Sequence, residues 1–191
     1  MKQLVLASAS PAREELLSRA HASFIVDVSD YEEDMTLPLE PNELAIHLAL
    51  GKGRSVASRH TNSIILSADS FAVFDKQLLG KPHTEARANQ MLTMLSGQCH
   101  LFITGFAILD TDTGKEYSAA VETRVYFREL SSTEIDNYLA KENVLAKAGA
   151  YTVQGLGAAF VERIEGDYSN VVGLPLASAT LALRDFGIEL I

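Results

Sequence analysis

The sequence has a single cysteine, no excess of basic residues and no long apolar run, and each shortage argues against a class of protein. Cys99 cannot form a disulfide within the chain, so a reducing compartment is expected. The chain carries 16 lysines and arginines against 25 acidic residues, a net charge of −9, and it therefore lacks the basic excess of proteins that coat DNA or RNA. A small anion stays a suitable ligand, because a few local cations decide whether it binds.

No apolar stretch approaches the roughly 20 residues needed to cross a membrane. The apolar run after Met1-Lys2-Gln3 is also too short for the core of a secretion signal. We therefore expect a cytoplasmic protein without a membrane partner. The 191 residues are 47% apolar and 21% charged, as in ordinary globular proteins. Since neither a linker nor a repeat divides them, they predict a single domain over residues 1–191.

Predicted strands and helices alternate along the chain. Strands are expected at 3–7, 24–28, 64–68, 99–109, 115–127 and 160–164, with a further extended segment at 71–74. Helices are expected from 11 and at 41–59, 84–95, 131–139 and 176–186, with a loop at 29–39 and a turn at 166–170. Asp112-Thr113-Gly114 is typical of a hairpin turn. This mixture predicts an α/β or α+β fold with a mixed sheet.

The junction between the first strand and the first helix has the residues of an anion site. Ser10 precedes Pro11, and these are common residue types at a helix N-cap and at the first helical position. Backbone N–H groups at a helix start attract anions, and Ser8, Ser10 and Arg13 add two hydroxyls and a planar cation. Taken alone, the same residues also fit a plain helix cap with a solvated arginine.

Two acidic positions are candidates for holding a metal ion or positioning a water. Asp69 follows the apolar run 64–68, and ligands of open α/β sheets bind beyond the carboxyl ends of the strands. The loop after the second strand contains Glu32 and Glu33, and Mg²⁺ prefers oxygen ligands and bridges phosphates. Each position also has an ordinary interpretation, Asp69 as a turn or capping residue and the loop as solvated surface.

Two lysines and one segment of small residues complete the candidates. Lys81 lies in a Gly-Lys-Pro loop, where the proline restricts it to extended backbone, so its charge could be fixed near a phosphate. Lys52 lies between two glycines of a predicted helix. The segment 148–155 permits close backbone approach, and Gln154 offers an amide edge to a nucleobase. Solvated lysines and a tight turn are the alternatives.

Taken together, these segments resemble the Maf-type nucleoside triphosphate pyrophosphatases over essentially the whole chain. The matching residues are Leu6-Ala7-Ser8-Ala9-Ser10-Pro11 with Arg13, Glu32-Glu33, Lys52, Ala68-Asp69, Gly80-Lys81-Pro82, Leu95-Ser96-Gly97 with His100, Thr104-Gly105, Ala148-Gly149-Ala150-Tyr151, Gln154-Gly155 and Val172-Gly173-Leu174-Pro175. The combination is specific, although no single segment is. The resemblance implies an α/β fold of the Maf/inosine-triphosphatase type, a mixed twisted sheet with flanking helices in two lobes around a nucleotide cleft.

The resemblance also implies a hydrolase that cleaves a nucleoside triphosphate between the α- and β-phosphates, giving a nucleoside monophosphate and pyrophosphate. By that likeness Asp69 would accept the proton of the attacking water and, with Glu33, hold a divalent cation such as Mg²⁺ or Mn²⁺. The remaining site residues would be Ser8, Ser10 and Arg13, which hold the phosphates, and Lys52 and Lys81, which offset their charge. Such enzymes remove modified or non-standard nucleotides, some are tied to cell-division arrest, and a homodimer is compatible with the likeness.

The positions that would select the base are Ala12, Ser70 and Gln154. Members of the pyrimidine type carry the glutamine, which is retained here, and a threonine in place of Ser70. Two arginines commonly follow the loop proline, and members resembling 7-methyl-GTP hydrolases have an aromatic residue at the first of these positions. Ala12 supplies neither charge nor stacking. Gln154 therefore favours a dTTP/UTP-like or non-standard substrate, while Ala12 does not distinguish between bases.

Three alternatives stay open on these residues. One is a pyrophosphatase of the 7-methyl-GTP type. Another is a nucleotide-binding cell-division regulator with little catalysis, since Ala12 and Ala146 replace charged residues of the family. The third is a structural or adaptor domain that binds no nucleotide.

Overall fold

The computed structural model describes residues 2–20 and 22–190. In these ranges the strands are β1 (Gln3–Leu6), β2 (Phe24–Val26), β3 (Ser63–Phe74), β4 (Gln77–Leu79), β5 (Cys99–Asp110), β6 (Glu116–Phe127) and β7 (Val161–Glu165). The helices are α1 (Pro11–Arg19), α2 (Pro41–Ala57), α3 (Glu85–Leu95), α4 (Ser132–Leu139), α5 (Tyr168–Val172) and α6 (Leu176–Arg184), with 3₁₀ turns at Ala148–Ala150 and Gly155–Phe160. No helix in this part of the chain is long and apolar enough to span a membrane.

The strands form a mixed sheet in the order β2-β1-β3-β5-β6-β7, with β4 alongside β3. β1 runs parallel to β2 and β3, whereas β4 and β7 run antiparallel to their neighbours β3 and β6. The predicted α/β fold with a mixed sheet and flanking helices is confirmed. The chain divides into two compact units. The first unit comprises Met1–Asp69, Thr104–Val121 and Gly173–Ile191, and the second comprises Ser70–Ile103 and Glu122–Val172.

In the first unit, α1 and α2 pack on opposite faces of the sheet. Successive side chains of a strand point to opposite faces. Leu66 of β3 lies in one apolar cluster with Leu17 of α1, whereas its neighbour Ile65 lies in another with Val56 of α2. Because both faces are covered, β1 and the first half of β3 are apolar at consecutive positions rather than at alternate ones.

Glycines allow α2 to lie unusually close to the sheet. A Cβ at Gly53 would lie 2.5 Å from Cδ1 of Leu109, and a Cβ at Gly105 in β5 would lie 2.2 Å from the carbonyl group of Ala45. A side chain at either position would push the helix outwards. The predicted helix is confirmed, and its Gly53 is explained by this close packing.

The second unit has its own apolar core, with Tyr151 at its centre. The Tyr151 ring makes edge contacts with Phe127 at a centroid distance of 4.8 Å and with His100 at 5.5 Å. Nε2 of His100 lies 2.9 Å from the Tyr151 hydroxyl, while its Nδ1 has no hydrogen-bond partner among the described residues. His100 is buried and packs within this core.

Local sequence signals predict several element ends correctly. Ser131 and Glu134 form a capping box at the start of α4, where a helix is expected from the sequence. The glycine after α3 and the glycine of the β5–β6 hairpin both adopt left-handed backbone, with φ of 66° at Gly97 and 69° at Gly114. In each case the residue type satisfies a need of its own backbone, so the signal does not depend on distant contacts.

The predicted end of the central strand is wrong, and a short neighbouring strand was not predicted. The strand expected at 64–68 continues through Asp69, and β3 ends only at Phe74. It then pairs with β4 through a tight turn in which Asp75 and Lys76 have φ of 46° and 63°. Such a turn usually contains glycine, so its residue types did not indicate a hairpin.

The predicted turn at 166–170 is also wrong, because most of it belongs to α5. The carboxylate of Asp167 accepts hydrogen bonds from the N–H groups of Ser169, at 2.7 Å, and Asn170, at 3.2 Å. These contacts satisfy backbone donors at the start of the helix, which is the usual role of an aspartate in that position.

We expect Gly105→Ala to destabilise the protein by at least about 2 kcal/mol, because the added methyl group would collide with the backbone of α2 rather than with a flexible side chain. The free energy of unfolding, measured by urea denaturation, checks this. Gly114→Ala is the control, because its Cβ would meet nothing within 4 Å and the cost is limited to left-handed backbone, about 1 kcal/mol. An equal loss in the two variants would contradict the close approach of α2.

We expect the stability of the protein to depend on pH through His100. Burial lowers the pKa of His100 to about 4 from its ordinary value of 6.5. The unfolded chain therefore takes up a proton near pH 6.5 while the folded chain does so only near pH 4, so the free energy of unfolding falls as the pH drops between these values. The loss reaches about 3 kcal/mol.

The measurement compares urea unfolding of the wild type and His100→Gln at pH 7 and at pH 4.5. Carboxylates contribute equally to both proteins, so the difference isolates the histidine. The variant should lose less stability than the wild type on acidification, and an identical loss would show that His100 is protonated without penalty in the folded state.

Candidate functional site

Two serine hydroxyls lie where β1 passes into α1. Ser8 is buried, and its Oγ accepts a hydrogen bond from the N–H of Ser10 at 3.1 Å. Ser10 is the N-cap of α1, its Oγ accepts the N–H of Arg13 at 3.5 Å, and Pro11 lies in the first turn. The predicted cap is confirmed. The hydroxyls lie at the positive end of the α1 dipole, where an anion is stabilised.

Arg13 is held from two sides at the same junction. Its Nε donates to the carbonyl oxygen of Gly173 at 2.6 Å, and its Nη1 donates to Oγ of Ser8 at 3.2 Å. Loss of hydration lowers the pKa of Arg13, and the negative charges of Asp69 and Glu33 oppose this effect. The guanidinium stays protonated, because an arginine does not lose its proton in proteins. The plain interpretation of Arg13 as a solvated side chain is therefore wrong.

The part played by Gly173 was missed by sequence reasoning, although Gly173 lies in one of the segments that carry the resemblance. Its φ of 126° is a conformation that favours glycine, and a Cβ there would lie 3.6 Å from Nε of Arg13. A glycine followed by Leu174-Pro175 was a visible signal for a special turn. Its contact with a residue 160 positions away was not visible.

Asp69 lies on β3 just beyond the end of β1. The two strands pair in parallel up to Leu6 and Leu66, and the N–H of Ala7 makes a last bond to the Leu66 carbonyl. β3 continues beyond the end of β1, so Asp69 occupies the carboxyl edge of the parallel pair without ending its own strand. β1 also lies between β2 and β3, which is the kind of position where open α/β sheets bind ligands.

Lys52 joins the two candidate acidic residues. Its Nζ forms an ion pair with Asp69 and a second one, at 2.8 Å, with Oε1 of Glu33. The side chains of Lys52 and Asp69 are only 12% and 8% exposed, so this contact is largely removed from water. The three residues come from α2, β3 and the loop after β2. The structure thus brings together residues that the sequence separates by 17 and 19 positions.

The pair of Glu33 and Asp69 fits a divalent ion that is shared with a phosphate ligand. Both carboxylates contact one ammonium group, so their oxygens approach a common small volume. The described residues contain no group of three or more histidines, cysteines or acidic residues that could hold a metal by themselves. Mg²⁺ is commonly bound through one or two carboxylates, with water and phosphate oxygens completing its shell.

Lys81 belongs to the second unit, where its loop is tied to the small-residue segment. The carbonyl of Gly80 accepts the N–H of Gly149 at 3.1 Å, and the N–H of His83 bonds to the carbonyl of Leu145 at 3.2 Å. Lys81 itself is exposed. Two segments that the sequence singled out separately therefore lie side by side within this unit.

The three candidate base-selecting residues occupy different settings. Ala12 is half-buried in the first turn of α1, in the first unit. Ser70 is half-buried and follows Asp69 on β3, so their side chains point to opposite faces of the strand. Gln154 is half-buried in the second unit, and its backbone carbonyl accepts a hydrogen bond from the hydroxyl of Thr152.

Comparisons with known proteins give one family. A family model described as "Maf-like protein" matches residues 3–186. Proteins named "dTTP/UTP pyrophosphatase" are similar to this chain, from Methanosarcina barkeri with 44% identity over 100% of this chain and 97% of that protein, and from Methanococcoides burtonii with 46% over 100% and 98%. A third, from Bacillus cereus, is 42% identical over 99% and 92%. The structure of a HAM1 protein from Coxiella burnetii is 18% identical, with a TM-score of 0.43 over 66% of this chain and 73% of that one. The chain belongs to the Maf-like protein family.

Proposed function

We propose that the protein is a nucleoside triphosphate pyrophosphatase that acts on pyrimidine nucleotides such as dTTP and UTP. The observation that carries the proposal is the pairing of Lys52 with both the buried Asp69 and the more exposed Glu33, since it assembles an acidic centre in the same unit as Arg13 and the serine hydroxyls. The names of the similar proteins support the reaction and the substrate class. All 191 residues are proposed to act as a single catalytic domain.

In the proposed reaction a water oxygen attacks the α-phosphorus, the bond from the α-phosphorus to the bridging oxygen breaks, and pyrophosphate leaves. Asp69 accepts the proton of the water as the new bond forms. Arg13 and the hydroxyls of Ser8 and Ser10 bind phosphate oxygens and orient the chain of phosphates. A divalent ion held by Glu33 and Asp69 would supply positive charge to the phosphate oxygens.

We assign Lys52 a different role from the one that the family resemblance implies. Its ammonium contacts two carboxylates, so it fixes their positions and reduces their mutual repulsion. Two like charges at close range would otherwise drive the side chains apart or favour their protonation. The family resemblance supports two further roles. Lys81 would offset the charge of the phosphates, and Ser70 and Gln154 would contact the base.

The proposed setting is the reducing cytoplasm, which the exposed free thiol of Cys99 supports. The proposed partner is the nucleotide alone, without a nucleic-acid polymer, in line with the net charge of −9. Assembly as a homodimer stays a prediction from the resemblance.

We expect the purified protein to release pyrophosphate from dTTP and UTP in the presence of Mg²⁺ or Mn²⁺, at least about tenfold faster than from 7-methyl-GTP. A panel of nucleoside triphosphates with detection of pyrophosphate and monophosphate checks this. Asp69→Asn should lower kcat by roughly 10²- to 10⁴-fold, because the attacking water loses its proton acceptor. A chelator should abolish turnover.

Asp136→Asn is the matched control, because it removes an exposed carboxylate on α4 and should leave kcat unchanged. Absence of pyrophosphate release from every triphosphate would contradict the proposal, as would full activity of Asp69→Asn. Tight nucleotide binding by calorimetry without turnover would instead indicate a regulator, and a preference for 7-methyl-GTP would indicate the other enzyme type.

A further inference from the structure

The acidic loop segment 27–33 lies along one side of α2 and the turn that follows it. The positions that contact the segment are His47, Gly51 and Ser55, which recur every four residues on one face of α2, and Arg59 in the turn after the helix. The segment runs in the opposite direction, with its first residue near Arg59 and its last near Lys52. We call this set of contacts the clasp.

The first end of the clasp is a charged contact. Arg59 donates two hydrogen bonds to the carboxylate of Asp27, at 3.0 and 3.2 Å, and a third, at 2.8 Å, to the carbonyl of Val28. Nε2 of His60 lies 2.8 Å from the same carboxylate, and these partners lower the pKa of Asp27. Asp27 is therefore ionised at neutral pH and fixes the start of the segment.

The middle of the clasp is made by one serine of the helix. The Ser55 hydroxyl donates to the carboxylate of Asp30, and the hydroxyl of Ser29 lies 3.3 Å away from the same serine. Nη1 of Arg59 lies 3.6 Å from Asp30, so the arginine reaches the middle of the segment as well. These contacts fix the position of the segment along the helix axis.

Tyr31 makes the contact closest to the site. Its ring lies so near the helix that a Cβ at Gly51 would be 2.4 Å from the ring carbon Cζ, and its hydroxyl lies 3.2 Å from Nε2 of His47. Two residues later, Glu33 reaches Lys52, the residue that follows Gly51. The absence of a side chain at position 51 therefore allows the ring to pack against α2 one residue before Lys52.

We infer that the clasp is a positioning device, in which Gly51, Tyr31 and Arg59 fix Glu33 at the place where it binds the divalent ion. The inference rests on the proposed function, which gives Glu33 that role. It gives a functional reason for the contacts of the clasp, which a contribution to stability does not explain. Glycine weakens a helix, and ion pairs as exposed as those of Arg59 and Asp30 add little to stability.

Gly51→Ala is the decisive variant, because stability and metal binding should change in different directions. Alanine favours the helix, so the melting temperature should not fall, while the displaced Tyr31 ring should move Glu33. Removal of a group that orients a metal ligand commonly weakens metal binding by about 10- to 100-fold. We expect the dissociation constant of Mn²⁺ to rise at least about tenfold.

Binding is measured by titrating Mn²⁺ into the full-length protein with α,β-methylene-UTP, an analogue that cannot be cleaved between the α- and β-phosphates, and following free Mn²⁺ by electron paramagnetic resonance. Turnover of UTP gives kcat and KM in parallel. The variant should need more Mn²⁺ for half-maximal activity, while KM at saturating Mn²⁺ changes by less than about threefold, because Arg13 and the serines are untouched.

Two controls keep the test independent of folding defects. In a double-mutant cycle, Tyr31→Ala should make the further change Gly51→Ala nearly neutral, since the ring that collides is gone. Arg59→Gln should weaken Mn²⁺ binding about threefold, with partial rescue in Arg59→Lys. Its matched control, Arg54→Gln, removes an exposed ion pair between Arg54 of α2 and Glu116 of β6 and should leave Mn²⁺ binding unchanged.

The inference is overturned if Gly51→Ala binds Mn²⁺ as the wild type does, if the effects of Gly51→Ala and Tyr31→Ala simply add, or if Arg59→Gln and Arg54→Gln behave alike. It is also overturned if the wild type with the analogue binds no Mn²⁺. Failure of the proposed function looks different, because no triphosphate would then be hydrolysed while the variants still altered Mn²⁺ binding in the expected order.

Discussion

The double ion pair of Lys52 is the constraint on which the candidate site depends. It joins α2, β3 and the loop after β2, and it holds Glu33 and Asp69 against one ammonium group. A lysine that is 12% exposed loses much of its hydration, and two carboxylates replace that hydration. The geometry of the acidic pair is therefore coupled to the position of α2 over the sheet, and small shifts of the helix would be felt at Asp69.

That position is set by glycines rather than by large side chains. Gly53 and Gly105 bring α2 against β5, while Gly51, on another side of the helix, receives the ring of Tyr31. A glycine in a helix costs roughly 1 kcal/mol relative to alanine, so two within three residues make α2 a poor helix in isolation. Packing of its apolar face against the sheet offsets this cost. The glycines that weaken the helix locally are therefore also the residues that allow its close packing next to Lys52.

The sequence predicted what depends on neighbouring residues and missed what depends on distant ones. The cap at Ser10 follows from a serine next to a proline, and it is confirmed; the start of α4 is set by an equally local capping box between Ser131 and Glu134. The end of β3 was misplaced because Asp69 and Ser70 are unusual strand residues, and only the partner from α2 explains a carboxylate at a buried strand position. The contact of Arg13 with Gly173 likewise spans most of the chain, so no local pattern could reveal it. Family resemblance indicated that such residues matter, but it did not indicate which of them touch.

The balance of charge at the centre gives a physical reason for the proposed divalent ion. Lys52 is paired with Glu33 and Asp69, and Arg13 also lies within electrostatic reach of both carboxylates. The two cations are therefore matched by two anions, and this group has no net positive charge to offer a triphosphate. A second arginine at position 12 would add one, but Ala12 does not. Two carboxylates next to a phosphate chain repel it, and a divalent cation held by them would turn that repulsion into attraction. With alanine at position 12, we therefore expect phosphate binding to depend more on the divalent ion than it would with an arginine there.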